Sequence, residues 1–169
     1  RAAITSYDSP VGQDQLTGEQ IYASGLRNAV GLAVHPDTGQ LWVTNNGRDL
    51  LGDDIPPETV YRVEEGTDYG WPSCHSTIVD PEFGFDGACE SVGQPAVTIQ
   101  AHSAPLGLTF YTGSAFPIEY QGDLFVALHG SWNRSVPTGY KVVRVPMANG
   151  APAGPVEDFA TGWLNSDGN

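Results

Sequence analysis

The chain has 169 residues, 40% of them apolar, which suits one domain with a buried core. Its 20 acids against 7 basic residues leave a net charge of −13, which excludes the basic face that nucleic acid or an anionic membrane surface requires. No apolar run approaches the roughly 20 residues of a membrane span, so membrane insertion is not expected.

The opening residues, Arg1 to Pro10, lack the basic-then-apolar order of a secretion signal, and the chain reads as a piece of something longer. A first strand is expected at Ala2–Tyr7. Further strands fall at Val30–Val34, Gly39–Thr44 and Tyr61–Val63, with a fourth near Ala96–Gln100. The same series then recurs. Leu106–Phe110 matches Val30–Val34 after 76 residues, Gly122–Ala127 matches Gly39–Thr44 after 83, and Val143–Val145 matches Tyr61–Val63 after 82. Its fourth strand is expected near Val156–Thr161.

Each unit reads strand, Gly-marked turn, strand, long loop, strand, and the 21 Gly and 13 Pro act as punctuation between them. Four short antiparallel strands in tandem are the sequence form of β-propeller blades. No segment holds a helical apolar stripe for three turns. The expected fold is therefore all-β: about two four-stranded antiparallel blades, approximately residues 20–100 and 101–163, of a partial propeller domain spanning 1–169. Two blades cannot close a ring, since propellers use about 4 to 8. Three arrangements remain open: a fragment of a larger propeller, copies associating through open blade faces, and two sheets packed as a sandwich.

The extra length of the first unit lies in the loop Arg48–Pro57 and in the segment between Cys74 and Cys89. These cysteines enclose 14 residues, and pairing them would close a loop worth roughly 3 kcal/mol in an oxidising compartment. A disulfide is expected, with two free thiols as the alternative. Asp80, Glu82, Asp86 and Glu90 beside it read as solvated acids.

The chemistry-bearing residues stand at strand ends. Arg27 and Asn28 precede one inner strand, and Asn46, Gly47, Arg48 and Asp49 follow the next. His129 and Gly130 share the register of Asn46 and Gly47, so a propeller would bring all of them to one channel mouth. Arg and Asn together can clamp an acidic ligand with carbonyls; the alternative is that they tie a turn. Asp53, Asp54 and Glu58 lie in a loop stiffened by Pro56 and Pro57, and hard oxygen donors on such a loop suit Ca²⁺, or form a solvated acidic turn. His102 is a candidate beside His129, His35 reads as an exposed turn residue, and His75 has no evident partner. Trp132 and Arg134 either line a pocket or cap the surface. No zinc spacing, nucleophile elbow, phosphate loop or dinucleotide fingerprint is present.

Four segments resemble the glucose/sorbosone dehydrogenase family: Gly-Leu-Arg-Asn-x-x-Gly-Leu at 25–32, Asn-Gly-Arg-Asp with Gly-Asp-Asp-x-Pro-Pro-Glu at 46–58, Tyr-Gly-Trp-Pro at 69–72 and His-Gly-Ser-Trp-Asn-Arg at 129–134. The resemblance implies a six-bladed propeller of a typically exported, periplasmic or extracellular protein. It also implies pyrroloquinoline quinone (PQQ) with Ca²⁺ at the channel mouth. Carried over, Arg27 and Asn28 contact the quinone, and the carbonyls of Gly47 and Arg48 ligate its calcium. His129 stands where other members place a lysine that touches PQQ, and Asp53, Asp54 and Glu58 fall near a second, structural calcium. The implied reaction oxidises a sugar hydroxyl or hydrated aldehyde by hydride transfer to PQQ. In the family the catalytic histidine comes from an earlier blade and further cofactor-binding arginines from a later one, so no catalytic residue is assigned here and the isolated chain is expected to be inactive. A calcium-dependent lactonase-like propeller and a non-catalytic module for binding or self-assembly are the alternatives; the Arg27–Asn28 clamp fits the lactonase poorly.

Overall fold

The computed structural model describes residues 3–9 and 15–165. Among the described residues, fourteen strands and one short 3₁₀ turn (Ile118–Tyr120) follow in order: β1 Ala3–Asp8, β2 Thr17–Ser24, β3 Ala29–Val34, β4 Leu41–Asn45, β5 Glu58–Val63, β6 Cys74–His75, β7 Ile78–Val79, β8 Val97–Ile99, β9 Pro105–Phe110, β10 Leu124–Leu128, β11 Lys141–Val145, β12 Met147–Ala148, β13 Ala151–Pro152 and β14 Glu157–Ala160. No helix among the described residues is long and apolar enough to cross a membrane.

Two four-stranded antiparallel sheets dominate, ordered β3-β4-β5-β8 and β9-β10-β11-β14. Each is a simple meander in the strand order the repeat implied, with a small hairpin inserted before its fourth strand: β6-β7 in the first sheet, β12-β13 in the second. The first strand reaches Asp8, and its partner β2 has no counterpart in the sequence reading. Most of β2 is exposed, so it lacks the apolar alternation that marks a half-buried strand.

Strand β4 shows how the layers stack. Successive side chains of a strand point to opposite faces, and β4 is buried on both. Trp42 joins Val60, Val97 and Ile99 against Phe110, Leu124, Val126, Leu128, Val143 and Val145 of the second sheet. Val43 faces the other way, with Tyr61 and Val63, toward Ala23, Leu26 and Tyr69.

The sheets approach each other most closely at their first strands, β3 and β9. Gly31 makes this approach workable: a β-carbon there would stand 2.1 Å from the Leu106 carbonyl oxygen. Beside it, the Thr44 hydroxyl donates to Leu106 O at 2.8 Å and accepts the Gly31 N–H at 2.9 Å. Closest approach at the inner strands favours blades fanning from a common axis over a sandwich.

His35 departs from its expected place as an exposed turn residue. It is buried, its Nδ1 accepts the N–H groups of Asp37 at 3.2 Å and Thr38 at 3.3 Å, and its ring lies 4.6 Å from that of Phe110. The His-Pro-Asp-Thr turn thus folds around an imidazole that also fills the space between the sheets.

Candidate functional site

The two inner hairpins carry equivalent residues to the same end of the molecule. Asn46 N–H donates to Asn28 O at 3.0 Å in the first blade, and His129 N–H donates to Ala104 O at 2.9 Å in the second. Between these strand ends lies a cleft of about 370 Å³, lined by Arg27, Asn28, Asn46, Gly47, Asp49, Glu58, His102, His129, Trp132 and Asn133 among others. This volume is in the range of small-molecule sites. A smaller hollow of about 240 Å³, around Trp42, Arg62 and Pro95, lies toward the opposite ends of β4 and β5 and contains none of the sequence-predicted residues.

Arg27 is held at both ends of its guanidinium. Nη1 donates to Gly47 O at 2.5 Å and Nη2 pairs with Asp49 Oδ2 at 3.0 Å. Its Cζ lies 5.7 Å from the Trp71 ring centre. Asn28 is exposed and its side-chain oxygen accepts from Asn46 Nδ2 at 2.9 Å. His129 is exposed at the rim, whereas His102 is buried, with its Nε2 2.7 Å from Gly52 O.

Two acceptors here have no partner among the described residues: the side-chain oxygens of Asn46 and Asn133 are buried and make no hydrogen bond. Buried amide oxygens are ordinarily satisfied, so two unpaired acceptors lie in the residues that line the cleft, beside a fixed cation. Asn133, missed in the sequence, also donates to Asp49 Oδ1 at 3.4 Å. Its only sequence signal was membership of the His-Gly-Ser-Trp-Asn-Arg segment. Trp132 lines the cleft as one of its two readings had it, while Arg134 turns to the neighbouring loop.

The carboxylates of that loop are not brought into one group. Asp53 Oδ1 accepts the Ser135 N–H at 3.0 Å, and its carbonyl accepts Arg134 Nη1 at 2.5 Å. The Ser135 N–H holds the Asp53 carboxyl below its ordinary pKa. Asp54 is exposed and pairs with Arg134 at 3.3 Å. Glu58 instead lies buried on the cleft floor, accepting the N–H of Gly47 at 2.7 Å and of Ala104 at 3.4 Å. Burial raises its pKa against those two donors. Among the described residues, no three His, Cys, Asp or Glu side chains cluster as a metal site. The loop is ordered across the blade boundary by Arg134, Ser135 and His102.

Arg48 points away from the cleft, into the segment between the cysteines, which are joined as a disulfide. Its Nη1 contacts both Asp80 oxygens, at 2.8 and 2.9 Å, and Nη2 pairs with Glu82. Asp80 is buried and also receives His75 Nε2 at 2.7 Å and the N–H groups of Glu82 and Phe83, each at 2.8 Å. Asp80 and Glu82 are thus paired rather than merely solvated, and His75 has a partner. Burial alone would disfavour the Asp80 carboxylate, but the hydrogen bonds from His75, Phe83, Arg48 and Glu82 outweigh it and hold the group well below the usual carboxylate range. A depressed folded-state pKa contributes stability that is present above the ordinary aspartate value of about 3.9 and lost as pH falls toward the folded value. Thermal unfolding of wild type and Asp80→Asn should therefore differ fully at pH 7, and the gap should shrink progressively below about pH 4.

Comparison with known proteins agrees with this architecture. Residues 2–133 match the sequence profile of the family described as Glucose / Sorbosone dehydrogenase. A protein of Borreliella burgdorferi described as uncharacterized is 37% identical over an alignment of 154 residues, with 88% of this chain and 40% of that protein covered. The pyrroloquinoline quinone-dependent pyranose dehydrogenase of Coprinopsis cinerea is 28% identical over 184 residues, covering 85% of this chain and 24% of that protein. The holo structure of the PQQ domain of pyranose dehydrogenase from the same fungus superposes with a TM-score of 0.66 at 25% identity, covering 85% of this chain and 45% of that one. The chain thus spans less than half the length of these relatives, and its two sheets are blades of a β-propeller. With most of its length matched by the profile and its blades superposing on those of a solved relative, the chain belongs to the glucose/sorbosone dehydrogenase family.

Proposed function

We propose that this chain supplies part of the cofactor site of a PQQ- and calcium-dependent sugar dehydrogenase, which oxidises a sugar hydroxyl or hydrated aldehyde outside the cytoplasm. The observation that carries the reading is that one cleft at the strand ends is lined by the fixed guanidinium of Arg27 and by Asn46 and Asn133, whose buried side-chain oxygens have no hydrogen-bond partner among the described residues. The relative from Coprinopsis cinerea is named for dependence on this quinone. The disulfide suits an oxidising compartment.

The donor set fits the pair of groups proposed. PQQ is an acidic, carbonyl-bearing heterocycle, and Arg27 offers it a planar cation whose position Asp49 and Gly47 already hold. Asn28 and His129 stand exposed on either side of the cleft for further polar contacts. Neutral oxygens are hard ligands suited to Ca²⁺; those that would hold it are the amide oxygens of Asn46 and Asn133 and the backbone carbonyls of Arg48 and of Gly47, the last already accepting from Arg27. When bound, PQQ would supply the hydride acceptor. The residues of this chain bind and orient, with the exposed Trp132 and the buried His102 lining the second-blade side of the cleft. No proton-abstracting role is assigned to any of the four histidines.

The test is calorimetric titration of PQQ into the calcium-loaded chain. Micromolar binding is expected, weakened about tenfold to a hundredfold in Arg27→Ala, since a hydrogen bond to a charged group contributes about 1.5–3 kcal/mol. Absence of heat at millimolar calcium would remove the cofactor reading for this chain.

A further inference from the structure

We propose that Asp80, which lies outside the cleft, is the positioning residue of the first-blade wall of the site and fixes Arg27 by two separate routes. The functional meaning of this rests on the reading of the cleft as a cofactor site; the mechanical part does not.

The first route runs through the chain. Arg48 stands between the two residues that hold Arg27: on one side the Gly47 carbonyl oxygen accepts from Arg27 Nη1, and on the other the Asp49 carboxylate accepts from Nη2. Its own side chain turns away from the cleft and is pinned by both oxygens of the buried Asp80. With Nη1 on both Asp80 oxygens and Nη2 on Glu82, the Arg48 guanidinium is held by charge-assisted bonds at two of its nitrogens, which fixes its orientation as well as its distance. Pinning Arg48 therefore sets the peptide on each side of it, and with that both acceptors of Arg27.

The second route runs through rings. Asp80 Oδ2 holds His75 Nε2 at 2.7 Å, the His75 ring lies 5.3 Å from that of Trp71, and the guanidinium of Arg27 sits 5.7 Å from the Trp71 centre. Trp71 N–H is itself tied to Gly25 O at 2.8 Å, two residues before Arg27. The contacts close a ring: Arg27, Gly47, Arg48, Asp80, His75, Trp71 and back to Arg27. Asp80 is the member common to both halves. The disulfide closes the loop that carries it, with Cys74 adjacent to His75.

A carboxylate with four separate donors, fully withdrawn from solvent and 32 positions along the chain from the arginine it binds, makes an anchor of this loop. A surface ion pair would not hold the cleft wall in this way, because exposed pairs contribute little.

The experiment has one arm without ligand and one with it. In the chain alone, amide hydrogen exchange at Asn46 and Gly47, whose N–H groups are bonded to Asn28 O and Glu58 Oε2, should accelerate at least tenfold in Asp80→Asn, while amides of β10 and β11 keep their wild-type rates. Unchanged exchange at Asn46 and Gly47, or equal acceleration in β10 and β11, would overturn the proposal.

In the second arm, PQQ affinity is measured for wild type, Asp80→Asn, Arg27→Ala and the double variant. Asp80→Asn should weaken binding about tenfold in the wild-type background and leave it unchanged in the Arg27→Ala background, because residues in one network are not additive. Equal losses in both backgrounds would overturn the routing through Arg27. If wild type itself binds no PQQ, the cofactor reading fails and the exchange arm alone decides the mechanical claim. Should Asp80→Asn fail to fold, Arg48→Met and His75→Phe each cut one route; each should accelerate exchange at Asn46 and Gly47, and no change in either variant would overturn the proposal.

Discussion

Replacing Trp42 by alanine is expected to lower the stability of the chain by about 3–5 kcal/mol, the range for removing a large aromatic from a core. Trp42 is wholly buried on β4 and packs among residues of both blades, edge-on to Phe110 at 5.7 Å. The cavity left behind would lie at the boundary between the sheets, where neither can close over it. Phenylalanine at the same position should cost far less than alanine. It keeps most of the ring, and it removes an indole N–H that is buried without an acceptor among the described residues; an unsatisfied buried donor costs about 1–3 kcal/mol. Urea unfolding of the three proteins measures this directly, as a shift in midpoint at constant slope. An alanine variant within about 1 kcal/mol of wild type would show that the two blades do not share this core, a cost too small for any fully buried tryptophan.

Removal of the Cys74–Cys89 bridge, by the double Cys→Ser variant or by reductant, should cost about 3 kcal/mol, because the bridge closes a loop 15 residues in separation. The loop between the cysteines contains almost no regular structure beyond the two-residue strands β6 and β7. With few backbone ladders of its own, it depends on the bridge and on the Asp80 hydrogen bonds. Denaturant unfolding with and without reductant should show the loss in wild type and none in the double variant. A wild-type midpoint indifferent to reductant would mean that the loop is ordered by its hydrogen bonds alone.

The blade repeat was legible because it is written in local pattern. Val30-Gly31-Leu32 and Leu106-Gly107-Leu108 share spacing, and β-branched and aromatic residues at period two mark half-buried strands wherever they occur. Strand β2 escaped because its side chains are mostly exposed. The assembly of Arg27, Asn28, Asn46, Gly47 and His129 on one cleft followed from register once two blades were assumed, since equivalent strand ends meet at the same end of a propeller.

The acidic residues and histidines were harder. Asp53, Asp54 and Glu58 lie within six positions of one another, yet Glu58 faces inward at the start of β5 while Asp53 and Asp54 face the Arg134 side. Sequence spacing in an irregular loop does not specify which way a side chain points. Asp80 shows the same limit in reverse: among acids of a loop rich in Gly and Pro it resembles its neighbours, and only the arrival of Arg48 from another blade segment makes it a buried anchor. His35 was misread for the same reason, its burial being supplied by Phe110 from the second sheet.

Strand content, the tandem blade plan and the pairing of the cysteines are therefore properties of the amino-acid order, because they depend on periodicity and on short chain separations. Which carboxylate faces the cleft, which is locked to an arginine and which amide oxygens remain without partners were settled by contacts across tens of residues, between loops with no periodicity of their own. Local sequence constrains the backbone through sterics and burial pattern; the partner of a polar side chain is chosen by whatever distant group the packed sheets bring within about 3 Å of it.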